Sequence, residues 1–232
     1  MKRRHFIQQA ACGAALFTTP GLFAEQLAAT AEIGEGPFYP DKLPLDTDND
    51  LLILNDSLTP AVGEITHLTG KIRDAQGRPL RNAFVEIWQV DANGSYLHSA
   101  SSNSEKYDRP FQGYGRFLTG STGDYYFRTI KPVPYPGRTP HIHIAVSQNA
   151  RRIFTSQLLI AGNPQNENDL LYRRVNAAAQ KTLLAEFKPL PHSQIGELTA
   201  SFDVILGRTA EDPGAEPPAG VAQPLSRARS RR

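Results

Sequence analysis

The stretch ITHLTGKIRDAQGRPLRNAFVEIWQV, Ile65–Val90, decides the architecture. Ile65–Arg73 reads as a strand, Asp74-Ala75-Gln76-Gly77 as a turn, and Asn82–Val90 as a second strand. Side chains alternate along an extended chain, so Phe84, Glu86 and Trp88 share one face and Val85, Ile87 and Gln89 the other. The same grammar continues downstream. Asp91-Ala92-Asn93-Gly94 is the next turn, with Asn-Gly at its tip. Ser95–His98 reads as a short strand, Ser99–Gln112 as a polar loop, and Gly115–Thr119 with Tyr125–Ile130 as a hairpin across Ser121–Asp124. Ile142–Val146, Ile153–Ile160 and Thr199–Leu206 complete the strands, and Asn166–Phe187 is the one helical stretch. Upstream, Glu35–Pro40 holds too much Pro and Gly for regular structure, and Asp41–Asn55 adds an edge segment. Short strands, frequent turns and one helical excursion predict an all-β fold, an antiparallel sandwich or barrel, and the expected form is a prealbumin-like β-sandwich.

Composition narrows the function. The chain has 232 residues and a formal charge of +2, but that charge sits at the ends. The first 31 residues carry Lys2, Arg3 and Arg4 against Glu25, and residues 209–232 carry four arginines against three acids, so the body is close to −1. A nucleic-acid surface is set aside on that ground. The only cysteine, Cys12, lies in the leader, which removes disulfides and thiolate-bound metals from the body. No apolar run reaches the roughly 20 residues of a membrane span.

Residues 1–31 have the basic start, weakly apolar middle and small-residue exit (Ala29-Thr30-Ala31) of a signal peptide. Arg3-Arg4-His5-Phe6-Ile7 resembles a twin-arginine export motif, which implies an exported or periplasmic protein. Residues 32–208 then form the folded domain, and the Pro/Ala/Gly-rich, finally basic segment 209–232 reads as a disordered tail.

The chemistry gathers around Thr129–His143, TIKPVPYPGRTPHIH. His141 and His143 are alternate residues on a strand and present two imidazoles on one face, with Ile142 turned into packing. Imidazole pairs suit Zn, Cu, Ni or Fe. Cysteine is absent and acids are sparse nearby, whereas Tyr96 and Tyr135 stand close to the turns. A phenol ionises near pH 10 unless a hard cation stabilises the phenolate. Two phenolates with two imidazoles therefore suit Fe(III) better than Zn(II) or Mg(II).

Gly94-Ser95-Tyr96, Gly115–Thr119, Gly123–Pro132, Tyr135-Pro136 and Arg138–His143 together resemble the intradiol ring-cleavage dioxygenases. Val85–Gln89, Ser156-Gln157 and Glu35–Tyr39 fit the same pattern, so the resemblance runs over roughly residues 35–206. It implies one non-haem Fe(III) per chain, with Tyr96 and His143 equatorial and Tyr135 and His141 axial. It implies that a catechol-type substrate displaces the Tyr135 phenolate, and that O2 opens the ring to a cis,cis-muconate-type diacid. Arg138 would stabilise negative charge on the substrate, Gln157 would line the pocket, and Tyr39 would touch the substrate. Only five residues separate Tyr135 from His141, fewer than in larger members, and no helical dimerisation segment of the catechol 1,2-dioxygenase kind is recognisable, so homo-oligomerisation stays open. Thr69–Leu80 and Gly123–Phe127 also look like prealbumin-like sandwich modules, which leaves a non-catalytic binding or spacer module as the alternative.

Overall fold

The computed structural model describes residues 27–44, 46–53, 59–101 and 104–207. The leader through residue 26, Leu54 and the tail from residue 208 lie outside them. Among the described residues, ten strands form two five-stranded sheets. In the first, β1 (Ile65–Arg73) is central, with β4 (Asp124–Ile130) antiparallel along one edge. Along its other edge, β9 (Leu198–Ser201) and β10 (Val204–Ile205) lie parallel to it, one after the other, and β8 (Phe187–Pro189) follows beyond β9. The second sheet has the order β3 (Tyr114–Leu118), β2 (Phe84–Trp88), β5 (His141–Gln148), β6 (Arg151–Ile160), β7 (Leu184–Ala185). The sheets face one another through Leu68, Ile72 and Phe127 on one side and Val85, Ile87, Ile142, Ile144 and Leu158 on the other, all without solvent exposure. Leu51 and Leu52 join this core from the segment that pairs Asp50 with Arg128, which is the predicted edge segment.

Four expectations are corrected. The sheets are mixed, because β9 and β10 run parallel to β1 and β7 parallel to β6. Gly115–Thr119 and Tyr125–Ile130 do not pair as a hairpin: β3 pairs with β2 and β4 with β1, so their turn carries the chain between layers. Gly123 sits in that turn at φ +71°, and its carbonyl accepts from Ile72 N, which ties the crossing to β1. Ser95–His98 is a tight loop, because side chains take its backbone donors: Ser95 N–H goes to Asp91 Oδ1 and Tyr96 N–H to Ser101 Oγ. Finally, 166–187 is no continuous helix, and the chain from 164 to 183 is a run of short turns. Two of them are α-helical, α1 (Leu170–Arg174) and α2 (Ala177–Gln180). Asn163, Asp169 and Asn176 each accept from a backbone N–H one turn ahead, so a fresh start is capped every six or seven residues.

Thr30, within the expected leader exit, is buried; its N–H donates to Ile205 O and its Oγ1 accepts from Ile205 N. A cut after Ala31 would remove this pairing from β10.

Candidate metal centre

The site lies on the outer face of the second sheet. Tyr114, Trp88, His143 and Gln157 stand directly opposite one another on β3, β2, β5 and β6, forming one row across four strands. Alternation puts Ile142 and Ile144 into the sandwich and His141 and His143 on this face, as expected from the sequence. What buries a row that would otherwise meet water is the N-terminal segment. Phe38 stacks on Tyr96 at 5.0 Å, Tyr39 packs edge-on against Trp88 at 5.1 Å, and Gly36 lies so close that a Cβ there would be 3.8 Å from His143 Cε1. Glu35–Pro40 is thus an ordered crossing loop that roofs the site.

Three donor atoms converge under this roof. Tyr96 Oη is 2.9 Å from His143 Nε2 and 3.2 Å from His141 Nε2, and the two Nε2 atoms are 3.2 Å apart. Such edges are those of three ligands sharing one cation at about 2.1 Å with bond angles near 90–100°. His141 Nδ1–H donates to Thr139 O at 2.6 Å, which leaves the Nε2 lone pair for a metal. Trp88 stacks on His143 at 4.6 Å and 10° and fixes its plane; the indole Nε1 has no hydrogen-bond partner among the described residues, so packing alone holds it. Among the described residues no group of three His, Cys, Asp or Glu could hold a metal; the third donor beside the two imidazoles is the Tyr96 phenol.

The electrostatics agree. Burial, then the Arg138 charge, brings the His141 pKa down to about 4, while the Thr139 carbonyl and Asp169 pull weakly the other way. His143 is lowered further by burial, by His141 and by Arg138. Both are therefore neutral, metal-ready imidazoles at pH 7. Burial and then Tyr135 push the Tyr96 phenol well above its ordinary value, so only a cation makes phenolate favourable there. In metal-free protein the unfolded chain takes up a proton below pH 6.5 that folded His141 refuses until about pH 4. Stability is thus full above pH 6.5 and lost as pH falls toward 4, on the order of 3 kcal/mol from this group. Thermal melts of metal-free protein should fall across that window, and a melting temperature flat from pH 7 to 4.5 would contradict it.

Tyr135 sits on the Pro/Gly-rich bend between β4 and β5. Pro136 and Gly137 (φ +81°) form the centre of a turn closed by Arg138 N–H to Tyr135 O at 3.0 Å, a type II arrangement that a side chain at Gly137 would strain. The turn brings the Tyr135 ring to 5.4 Å from Tyr96 and 5.6 Å from His141. Arg138 Nη1 lies 3.4 Å from Tyr135 Oη, and Nη2 donates to Gln157 Oε1 in a short bond. Gln157 Nε2 is 3.4 Å from His143 Nδ1. A cavity of about 370 Å3 opens on the far side of this bend, walled by Pro134–Thr139 with Gln165, Asn168 and Asp169. All seven residues named from the sequence come together except that Tyr39 directs its hydroxyl to Glu86 Oε1 at 3.1 Å.

Two buried acids escaped the sequence reading. Glu86 accepts from Tyr39, Tyr114 and Arg116 at Oε1 and from Arg152 at Oε2. Burial would raise its pKa, but the Tyr114 hydrogen bond and the Arg152 and Arg116 charges outweigh it and hold the carboxyl down. Alternation puts Glu86 beside Trp88 on the site face; nothing local announces its partners. Asp169 lies inside the predicted 166–187 helix, where it instead caps the start of α1.

A family model described as "Dioxygenase" matches residues 34–208. The chain is 34% identical over 159 residues to the protocatechuate 3,4-dioxygenase beta chain of Burkholderia cepacia, covering 64% of this chain and 67% of that one. It is 31% identical over 162 residues to the catechol 1,2-dioxygenase of Acinetobacter baylyi, covering 62% of this chain and 50% of that one. It thus spans between half and two thirds of these relatives' lengths. The dioxygenase domain of a dioxygenase–carbohydrate-binding protein fusion from Streptomyces sp. SirexAA-E superimposes with a TM-score of 0.59 at 26% identity, covering 78% of this chain and all of that one. With most of its length inside that match and a fold to correspond, the chain belongs to the intradiol ring-cleavage dioxygenase family.

Proposed function

We propose that the protein is a non-haem Fe(III) enzyme that opens catechol-type rings between the two hydroxyl-bearing carbons, placing both atoms of O2 in a cis,cis-muconate-type product. The observation that carries this reading is the triangle of Tyr96 Oη, His141 Nε2 and His143 Nε2 within 3.2 Å of one another. Tyr96, Tyr135, His141 and His143 would hold the iron. When bound, Fe(III) would stabilise the phenolates and draw electron density from a chelated ring so that O2 adds at carbon. The rest falls to the chain. Tyr135, on a half-exposed turn rather than a strand, is the ligand that substrate can displace, and its oxygen takes one of the catechol protons. Arg138, with Nη1 3.4 Å from that oxygen, stands beside the position the ring would take and stabilises the negative charge that develops on the substrate. Gln157 steadies the guanidinium from the β6 side. Phe38 and Tyr39 keep water off the ligand set from above.

Phenolates on Fe(III) absorb visible light, so protein expressed with ample iron should be wine-red and change colour with catechol. Uptake of O2 across a panel of catechols, hydroxyquinols and protocatechuate tests the activity. Colourless, iron-free protein that consumes no O2 would overturn the reading. Tyr135→Phe should keep a tyrosinate band from Tyr96 but lower turnover about 100- to 10,000-fold, the size of a lost acid–base group; unchanged O2 uptake would contradict Tyr135 as the displaced ligand. A binding or spacer module has no use for three buried donors facing one another. We also propose export of the folded, metal-loaded chain through its Arg3-Arg4 leader, which would place the natural catechol outside the cytoplasm.

A further inference from the structure

Asp169 has no solvent-exposed side-chain surface, and each of its oxygens receives two donors. Oδ2 accepts from Arg138 Nε at 2.8 Å and from Thr139 N at 3.0 Å. Oδ1 accepts from Leu171 N at 2.9 Å and Tyr172 N at 3.1 Å, at the start of α1. One carboxylate therefore ties the bend to the capped turn behind it. Arg138 needs such a tie. It leaves a short turn beside an open cavity, and its long side chain has many rotamers to lose. With Nε held, the guanidinium plane is set, and its two remaining nitrogens point at Tyr135 Oη and Gln157 Oε1.

We propose that Asp169 is the positioning residue for Arg138: it fixes the guanidinium so that the Nη edge faces Tyr135 and the reacting ring. The inference rests on the dioxygenase reading for its kinetic consequence, and on the four hydrogen bonds for its geometry. Asp169→Asn isolates the role. Asparagine caps a helix as well as aspartate, so Leu171 and Tyr172 keep an acceptor. The amide NH2 then faces Arg138 Nε–H and Thr139 N–H, donor against donor.

The test is a double-mutant cycle on the iron-loaded full chain, read by O2 uptake with catechol as the probe. Asp169→Asn should lower kcat about 10- to 100-fold, the cost of misorienting a group held by its neighbour, with iron content and the visible band unchanged. In an Arg138→Ala background the same substitution should change kcat by less than about twofold, because there is no guanidinium left to position. Full additivity, or a wild-type kcat in Asp169→Asn, would overturn the proposal, and Asp169→Ser, which keeps the cap acceptor, serves if the asparagine variant folds poorly. A second readout is independent of turnover. In metal-free protein the Arg138 Nε–H proton should give a slowly exchanging 1H–15N signal that is lost in Asp169→Asn; its persistence would count against the tie. Wild-type protein that consumes no O2 with any catechol would sink the dioxygenase reading and leave this inference to the exchange measurement.

Discussion

A His143→Ala protein is expected to leave purification colourless, with bound iron near zero and O2 uptake lowered at least about 1000-fold, the several kcal/mol that a catalytic metal supplies. The reason is geometric before it is electronic. His143 Nε2 is one corner of a triangle whose other corners are Tyr96 Oη at 2.9 Å and His141 Nε2 at 3.2 Å. Removing it leaves Tyr96 Oη and His141 Nε2, 3.2 Å apart, as the remaining pair of that triangle. The Tyr96 phenol is a poor donor without the imidazole pair intact, because burial makes its phenolate costly unless a cation lies beside it. Trp88, which stacks on the imidazole at 4.6 Å, would face a void on that side, so a modest loss of stability should accompany the loss of metal. Metal analysis and the visible spectrum check the first effect and thermal melting the second. Retention of stoichiometric iron and colour in this variant would show that His143 is not a ligand.

Glu86→Ala should destabilise the fold by about 3 kcal/mol, with Glu86→Gln in between. The carboxylate is 2% exposed and serves Tyr39, Tyr114, Arg116 and Arg152 together. Without it two guanidinium groups and the Tyr114 hydroxyl lose their shared acceptor beneath the roof. The lower part of the usual range for breaking a buried pair is expected, because the Arg116 and Arg152 side chains are 29% and 30% exposed and reach water. Arg152 also pairs with Glu35 and lies 5.1 Å over the Tyr39 ring, so the loss should spread to the roof. Guanidinium denaturation should show the shift in midpoint, and limited proteolysis should cut within Glu35–Pro40 of the variant before the rest of the fold. An unchanged midpoint would mean that the arginines and tyrosines find other partners.

The two acids explain why a reading of motifs reached the candidate ligands but not the residues that brace them. Tyr96, Tyr135, His141 and His143 carry chemistry that is rare in this pattern, and Arg138 and Gln157 follow from the family resemblance. Glu86 and Asp169 are ordinary residue types in ordinary places, one alternating on a strand and one before a helical turn. What makes them matter is the distance to side chains 30 or more positions away, such as Asp169 to Arg138 across 31 residues and Glu86 to Arg152 across 66.

The sequence by itself determined which way each strand turns its side chains. Extended backbone alternates whatever surrounds it, so His141 and His143 on one face and Ile142 on the other follow from local geometry. It also determined the Asp74–Gly77, Asp91–Gly94 and Tyr135–Arg138 turns, where Gly77, Gly94 and Gly137 take positive φ. Only the tertiary structure decided which strands pair. The turn at Ser121–Asp124 serves a hairpin or a crossing equally well, and the crossing arises because β1 offers β4 an edge while β2 offers one to β3. It decided too that 166–187 breaks into capped turns, since Asp169 has both Arg138 and the start of α1 to satisfy. And it alone brought Tyr96, from a loop 45 residues before His141, to the two imidazoles. Alternation and turn chemistry act within a few residues, whereas pairing and convergence depend on which surfaces the whole chain leaves free.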